Sequence, residues 1–221
     1  MNKKCLIMYA SLTNNTEKVA LRFKDTFEKN GWVCDTFKVR KKADDILRPP
    51  YNPSDYDFLC VGSGVRSHLP YNEILNVLRT FRIGKDPRVI LKNRDETIPY
   101  IKEPVSEDPL MERTEFFQKK IVFGSDSKKG VVFTTYGGHE FGPKEAEPSM
   151  SLLGLEMEHL GFKDIGHFCC PGKFPGNSAR IPTIGTYHGD ISDRPNEKDL
   201  LKAEMFIEEK LEEIADSTIP E

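Results

Sequence analysis

Lys4-Cys5-Leu6-Ile7-Met8-Tyr9-Ala10, followed by Ser11-Leu12-Thr13-Asn14-Asn15-Thr16, is the stretch on which the reading of this 221-residue chain turns. The first seven residues form an apolar run with no helical period, the pattern of a buried strand. The next six offer three hydroxyls and two amides. Behind them Val19, Leu21, Phe23 and Phe27 fall close to helical spacing, and Gly31 is a natural helix stop. A strand that passes through a polar turn into a helix leaves the first backbone N–H groups of that helix pointing outward with partial positive charge. Such an end binds a phosphate without needing Lys or Arg. Simple N-capping by Thr13 or Thr16 accounts for the same residue types, so these six residues alone leave both readings open.

Outward from this stretch, strand and helix patterns alternate. Residues 32–39 (WVCDTFKV), 57–62 (DFLCVG), 130–136 (GVVFTTY) and 164–170 (DIGHFCC) read as four further strands. Helical patterns cover residues 72–80, 149–160 and 197–215, the last introduced by Arg194-Pro195-Asn196 as a cap. Regular alternation of this kind predicts βα units and a parallel sheet. Two segments fall outside it: residues 82–129, of mixed charge and weak periodicity, and residues 171–196, rich in Gly, Pro, Ser and Thr. They amount to 48 and 26 residues and leave 147, close to five βα units of about 30 residues each. The expectation is therefore one domain over residues 1–221 carrying two insertions. Structureless stretches of that length are uncommon in compact domains and tend to be functional.

With the strand–loop–helix order in place, the chain resembles the flavodoxin family. That family's phosphate loop, Ser/Thr-x-Thr-Gly-x-Thr after the first strand, is matched by Ser11-Leu12-Thr13-Asn14-Asn15-Thr16, with Asn14 in place of the usual Gly. Asn tolerates left-handed backbone angles better than most residues. Two later loops follow in the family's order. Gly62-Ser63-Gly64-Val65-Arg66-Ser67-His68-Leu69-Pro70 stands where the family covers one face of the flavin ring, and Thr135-Tyr136-Gly137-Gly138-His139-Glu140-Phe141-Gly142 where it covers the other face and edge. The resemblance implies a doubly wound α/β/α fold with a five-stranded parallel sheet in the order 2-1-3-4-5. It also implies non-covalently bound FMN at the carboxyl edge of the sheet, near the switch between strands 1 and 3. The cofactor-binding residues so implied are Ser11, Leu12, Thr13, Asn14, Asn15 and Thr16 at the phosphate, then Ser63, Gly64, Val65, Arg66, Tyr136, Gly137, Gly138, His139 and Phe141 at the ring. No catalytic residue is assigned.

A flavin ring requires flat or apolar surfaces on its faces and backbone donors along one edge. Gly62, Gly64, Gly137 and Gly138 suit such close approach. The first ring loop has no Trp or Tyr before Tyr71, and the second offers Tyr136 and Phe141, so an aromatic is expected on at most one face. Tyr136 ending a buried strand and Phe141 packing in the core are the bland readings. Arg66 suits an anionic ligand or a solvated turn; His68 and His139 suit proton transfer or plain loop positions. Asn177, Arg180, Tyr187, His188 and Asp190 lie in the second insertion, after strand 5, where they can reach the same edge. In residues 82–129, Ile98, Tyr100, Val105, Leu110, Phe116 and Phe117 are candidate anchors of a lid or a docking surface.

Five cysteines make no disulfide framework. Cys169 and Cys170 are adjacent on a strand and so face opposite ways. Cys5, Cys34 and Cys60 read as buried, and no metal site is expected. Lys and Arg number 32 against 35 acids, for a net charge of -3, with 30% charged and 38% hydrophobic residues. No basic excess exists to neutralise a polyanion, so nucleic acid is not an expected partner. No run approaches the roughly 18 apolar residues of a membrane helix, and the start lacks a signal-peptide pattern; a cytoplasmic protein is expected. Three functions remain in play: a flavodoxin-like electron carrier docking on a redox partner protein, an FMN-dependent NAD(P)H:quinone or small-acceptor oxidoreductase, and a flavin-free interaction module. The near-neutral charge and the two insertions depart from a strongly acidic minimal carrier.

Overall fold

The computed structural model describes residues 3–42, 49–83, 128–137, 141–173, 184–185 and 188–216. The elements in chain order are β1 (Lys4–Ala10), α1 (Asn15–Lys29), β2 (Val33–Val39), β3 (Phe58–Arg66), β4 (Leu69–Pro70) and α2 (Asn72–Ile83). They continue with β5 (Lys128–Tyr136), α3 (Glu147–Glu158), β6 (Phe162–Pro171), the ribbon β7 (Ile184–Gly185) and β8 (Gly189–Asp190), and α4 (Glu197–Asp216). Short 3-10 turns stand at Pro53–Asp55 and Gly142–Glu145. The main sheet runs β2-β1-β3-β5-β6, all parallel, which is the expected 2-1-3-4-5 order; β4 adds an antiparallel two-residue strand to β3.

The period-two rule of strands sorts the core into two halves. Leu6, Met8, Leu59, Val61, Val132 and Tyr136 face α2 and α3, where Ile74, Leu78, Met150 and Leu153 meet them. Cys5, Ile7, Phe58, Cys60, Val131 and Phe133 face α1 and α4, against Val19, Phe23, Phe27, Ala203 and Ile207. Both faces of the central strands are covered, which is why β1 is apolar on six consecutive residues rather than on alternate ones. On the α1 side the filling is aromatic, with the Phe23 ring centroid 5.0 Å from that of Phe133 and 5.9 Å from that of Phe168.

Several sequence expectations change in extent. β3 runs to Arg66, beyond the expected end at residue 62, because Gly62, Ser63 and Gly64 keep pairing with Phe133, Thr134 and Thr135 of β5. It then turns back through Ser67 and His68, both at positive φ, into β4. Residues 82–83 end α2 and 128–129 begin β5, inside the bounds of the expected first insertion; residues 84–127 lie outside the described residues. Pro171 closes β6, and the second insertion carries the β7–β8 ribbon where only irregular chain was expected.

Among the described residues β6 forms one edge of the sheet. Its pairing with β5 slips between Gly130 and Val132, and the bulge brings Asp164 and His167 together, Nε2 to Oδ2 at 2.5 Å.

Candidate functional site

The carboxyl ends of β1, β3 and β5 lie in register, with Ala10 beside Ser63 and Ser63 beside Thr134. Ligands of open α/β sheets bind outside this edge.

One end of the site is the turn from β1 into α1. Asn14 has φ 61°, the left-handed region, and no side chain caps the helix. The Asn14 side chain points instead to β2, where its Oδ1 accepts from Lys38 Nζ at 2.9 Å. The Ser11 hydroxyl is buried with no hydrogen-bond partner among the described residues. Thr16 is buried and its hydroxyl lies 2.8 Å from that of Thr135, which ties the first turn of α1 to the end of β5. Asn15 Nδ2 donates to the Lys173 carbonyl at 2.8 Å, which ties it to the chain leaving β6. An added Cβ at Gly172 would meet that amide at 2.7 Å. Leu12 is exposed and Thr13 half-buried. The turn is thus anchored on two strands and on the chain leaving β6, while the leading N–H groups of α1 carry no side-chain cap. An orphaned buried hydroxyl beside an uncapped helix end is the donor set that a phosphate monoester completes.

The other end is built from two turns. Ser63 Oγ accepts from the Tyr71 backbone N–H at 2.9 Å and donates to the Gly64 carbonyl at 2.8 Å, so this expected ligand-binding hydroxyl is used to fold the β3–β4 hairpin. The space at Gly62 and Gly64 is filled by protein: added Cβ atoms would stand 2.1 Å from the Phe133 ring and 2.6 Å from the Tyr71 ring. Val65 is half-buried and Arg66 exposed on the hairpin. At the tip, His68 Nδ1 lies 3.4 Å from the Glu145 carbonyl and so touches the turn that follows β5. Phe141 stands 64% exposed, with its backbone N–H donating to Glu145 Oε1 at 3.1 Å, rather than packing in the core. Gly137 is half-buried at the end of β5. Gly138 and His139 lie outside the described residues, as do Asn177, Arg180 and Tyr187.

Tyr136 ends β5 buried, at 2% exposure, as expected of a residue closing a buried strand. Its hydroxyl meets His188 Nε2 at 2.7 Å, and the ribbon β7–β8 carries that histidine back to the edge. Partial burial, helped by the Arg194 guanidinium, lowers the His188 pKa from its ordinary value. The imidazole is therefore biased toward its neutral form. Arg194 itself is held by a bidentate pair with the buried Asp199.

The cysteines sit as expected from their spacing. Cys170 packs in the α1 half of the core and Cys169 against the α2–α3 half; burial pushes the Cys169 thiol up to about 11 and Cys170 higher still. Neither is poised as a thiolate. Among the described residues no cluster of His, Cys, Asp and Glu is arranged to hold a metal, and no helix is long and apolar enough to cross a membrane.

Lys38 and the His188 contact with Tyr136 are the parts the sequence reading did not isolate. Lys38 sits one strand away from the loop it touches, paired with Tyr9 in the β1–β2 register, and only that register reveals it.

No known protein family matches this chain, and no curated protein matches it either. Solved structures do. A flavone reductase is similar at 10% identity over 96% of this chain and 63% of its own, with a TM-score of 0.55. Rubredoxin oxygen:oxidoreductase from Desulfovibrio gigas is similar at 12% identity over 98% of this chain and 37% of its own, with a TM-score of 0.52. A flavodoxin from the Archaea aligns at 13% identity over 96% of this chain and 99% of its own, with a TM-score of 0.45. The chain spans about a third of the second protein and just under two thirds of the first. At these identities the likeness concerns the fold. Together with the strand order and the registered carboxyl edge, it establishes a flavodoxin-like fold for this chain.

Proposed function

We propose that this chain binds FMN non-covalently at the carboxyl edge of its sheet and serves in electron transfer through it. The observation that carries this reading is the β1–α1 turn: a left-handed residue, an uncapped helix start and the orphaned Ser11 hydroxyl. These residues fit a phosphate monoester and would hold that end of the cofactor. The hairpin after β3 and the turn after β5 touch each other through His68 and Glu145 and would flank the ring. FMN in such a site supplies one- and two-electron exchange. The protein's part is to hold the phosphate, shield the ring and present one edge of it to a redox partner.

A second reading has its own observation. A carrier needs no proton donor, yet Tyr136 and His188 form a hydrogen-bonded pair at this edge, with the imidazole biased toward neutrality near pH 7. Such a pair suits two-electron reduction of a small acceptor, where a proton must accompany the electrons. The neighbours include a flavone reductase and a rubredoxin oxygen:oxidoreductase, which is compatible with either role.

The test is the visible spectrum and cofactor mass of the purified protein, followed by FMN titration of the stripped protein. Yellow protein, or FMN uptake with submicromolar affinity, is the expected result. Absence of both would leave the chain a flavin-free module. If flavin is bound, steady NAD(P)H oxidation with a quinone marks the oxidoreductase, whereas negligible oxidation without a separate reductase marks the carrier.

A further inference from the structure

Asn14 is a non-glycine residue held at φ 61°, a conformation that glycine adopts freely and other residues avoid. Asn is tolerated there partly because its side chain can bond locally. Here it does not: it neither caps α1 nor bonds its own turn, but accepts from Lys38 Nζ across the gap to β2. Lys38 is itself fixed. The same ammonium donates to Glu17 Oε2 at 2.6 Å, and Glu17 is held from its other oxygen by the Tyr9 hydroxyl at 3.1 Å. Lys38 and Glu17 are about three quarters buried, so neither side chain is a freely waving surface charge. Tyr9 and Lys38 face each other in the β1–β2 register, which places the whole relay at the carboxyl edge. A charged donor on a braced stem is thus spent on the side chain of the one left-handed residue in the turn.

We propose that Lys38 is the positioning residue of the phosphate loop: by clamping Asn14 it maintains the left-handed turn that glycine would otherwise supply, and so sets the affinity for the phosphate end of the ligand. This rests on the FMN reading for the identity of the ligand, not for the clamp. Lys38 acts through Asn14 and not as a counter-charge to the phosphate. The consequence is a specific coupling. Removing the ammonium harms the loop only while residue 14 needs holding.

The experiment is a cycle of Lys38→Met, Asn14→Gly and the double variant, read in two ways. In the stripped protein, urea unfolding reads the clamp with no ligand present; Lys38→Met should lower the midpoint in the Asn14 background and lower it less in the Asn14→Gly background. Titration with FMN and with riboflavin, which lacks the phosphate, reads its effect on the loop. Lys38→Met should weaken FMN about tenfold, the size of one charged hydrogen bond, and leave riboflavin within about twofold. In the Asn14→Gly background the same change should cost FMN less than about twofold. An equal FMN loss in both backgrounds would overturn the proposal, since it would mark Lys38 as a direct counter-charge. No FMN loss in the Asn14 background would overturn it as well. Should Lys38→Met fail to fold, Lys38→Met combined with Glu17→Gln, which removes the carboxylate the lost ammonium leaves unpaired, serves in the same cycle. If the wild-type chain takes up no FMN, the flavin reading falls, while the unfolding cycle still decides the clamp.

Discussion

The two ends of the site are made in different ways. The end proposed for the phosphate is a strand-to-helix junction whose polar groups are tied to two strands and a loop: Asn14 to β2, Thr16 to β5 and Asn15 to the chain leaving β6. The end proposed for the ring consists of a two-residue turn at Ser67 and His68 and a short turn after β5, joined among the described residues by the long contact of His68 with the Glu145 carbonyl. Among the described residues, side-chain hydrogen bonds tie the first to elements far away in the chain, whereas the second is held by bonds within its own turns and by packing against α3 and β6. Binding affinity should therefore reside at the phosphate end, and choice of partner or acceptor at the ring end.

The largest expected effect tests the first half of that contrast. Thr13→Ala and Thr16→Ala should each weaken FMN binding by about 1–3 kcal/mol if their hydroxyls serve a charged phosphate. Phe141→Ala, at an exposed position of the ring end, should stay within about 0.5 kcal/mol. Titration of the three stripped variants reads the contrast directly; a Phe141 effect as large as the threonine effects would abolish it. Ser11→Ala is a finer probe, because its two readouts should move in opposite directions. Removing an orphaned buried hydroxyl should leave the stripped protein as stable as before or more so, while FMN affinity falls by about 1 kcal/mol. Equal affinity in wild type and variant would remove Ser11 from the phosphate site.

At the ring end, Tyr136→Phe keeps the buried ring and deletes the bond to His188. FMN affinity should hardly change. Turnover with a proton-requiring acceptor should fall several-fold, and its pH dependence should move with the altered imidazole. Unchanged turnover and pH profile would assign the pair a purely structural role.

The smallest effect concerns stability and pH. The Asp164 carboxylate, by its hydrogen bond, raises the His167 pKa above the ordinary 6.5. The folded state thus binds the proton more tightly than the unfolded chain. The pair's contribution is complete below about pH 6.5 and is lost as pH rises through the higher folded value. His188 has the opposite sign: its lowered pKa favours the folded state above the unfolded value, a gain lost as pH falls. His167→Gln should flatten the fall in urea midpoint on the alkaline side of pH 6.5, and a midpoint profile identical to wild type would show that the pair contributes nothing.

Much of this was legible in the sequence. β1 was read with its observed limits, and α1 and β2 to within about two residues, because continuous apolar runs and a helical stripe are local signals. The left-handed Asn14 agrees with its place in the resemblance, where it stands in for Gly as a residue that tolerates such angles. The β3–β4 hairpin was not visible, since its tip uses Ser67 and His68 where Asn-Gly or Asp-Gly would announce such a turn. The role of Gly62 was hidden for another reason. Its missing side chain makes room for Phe133, a partner set by the β3–β5 register and 71 positions away in the chain. Ser63 looked like a ligand donor because nothing local shows that the Tyr71 N–H claims its oxygen. Side chains whose partners lie on another strand carry no local mark.

The bulge in β6 bears on how the protein behaves in company. A ten-residue strand at the margin of a sheet offers unsatisfied backbone groups to any passing chain, and so templates association between molecules. The displaced register, with Lys163 exposed and the Asp164–His167 pair beside the kink, interrupts that template near its start. Straightening β6 by restoring regular pairing would tidy the ladder and, by the same stroke, make the protein prone to aggregate at high concentration.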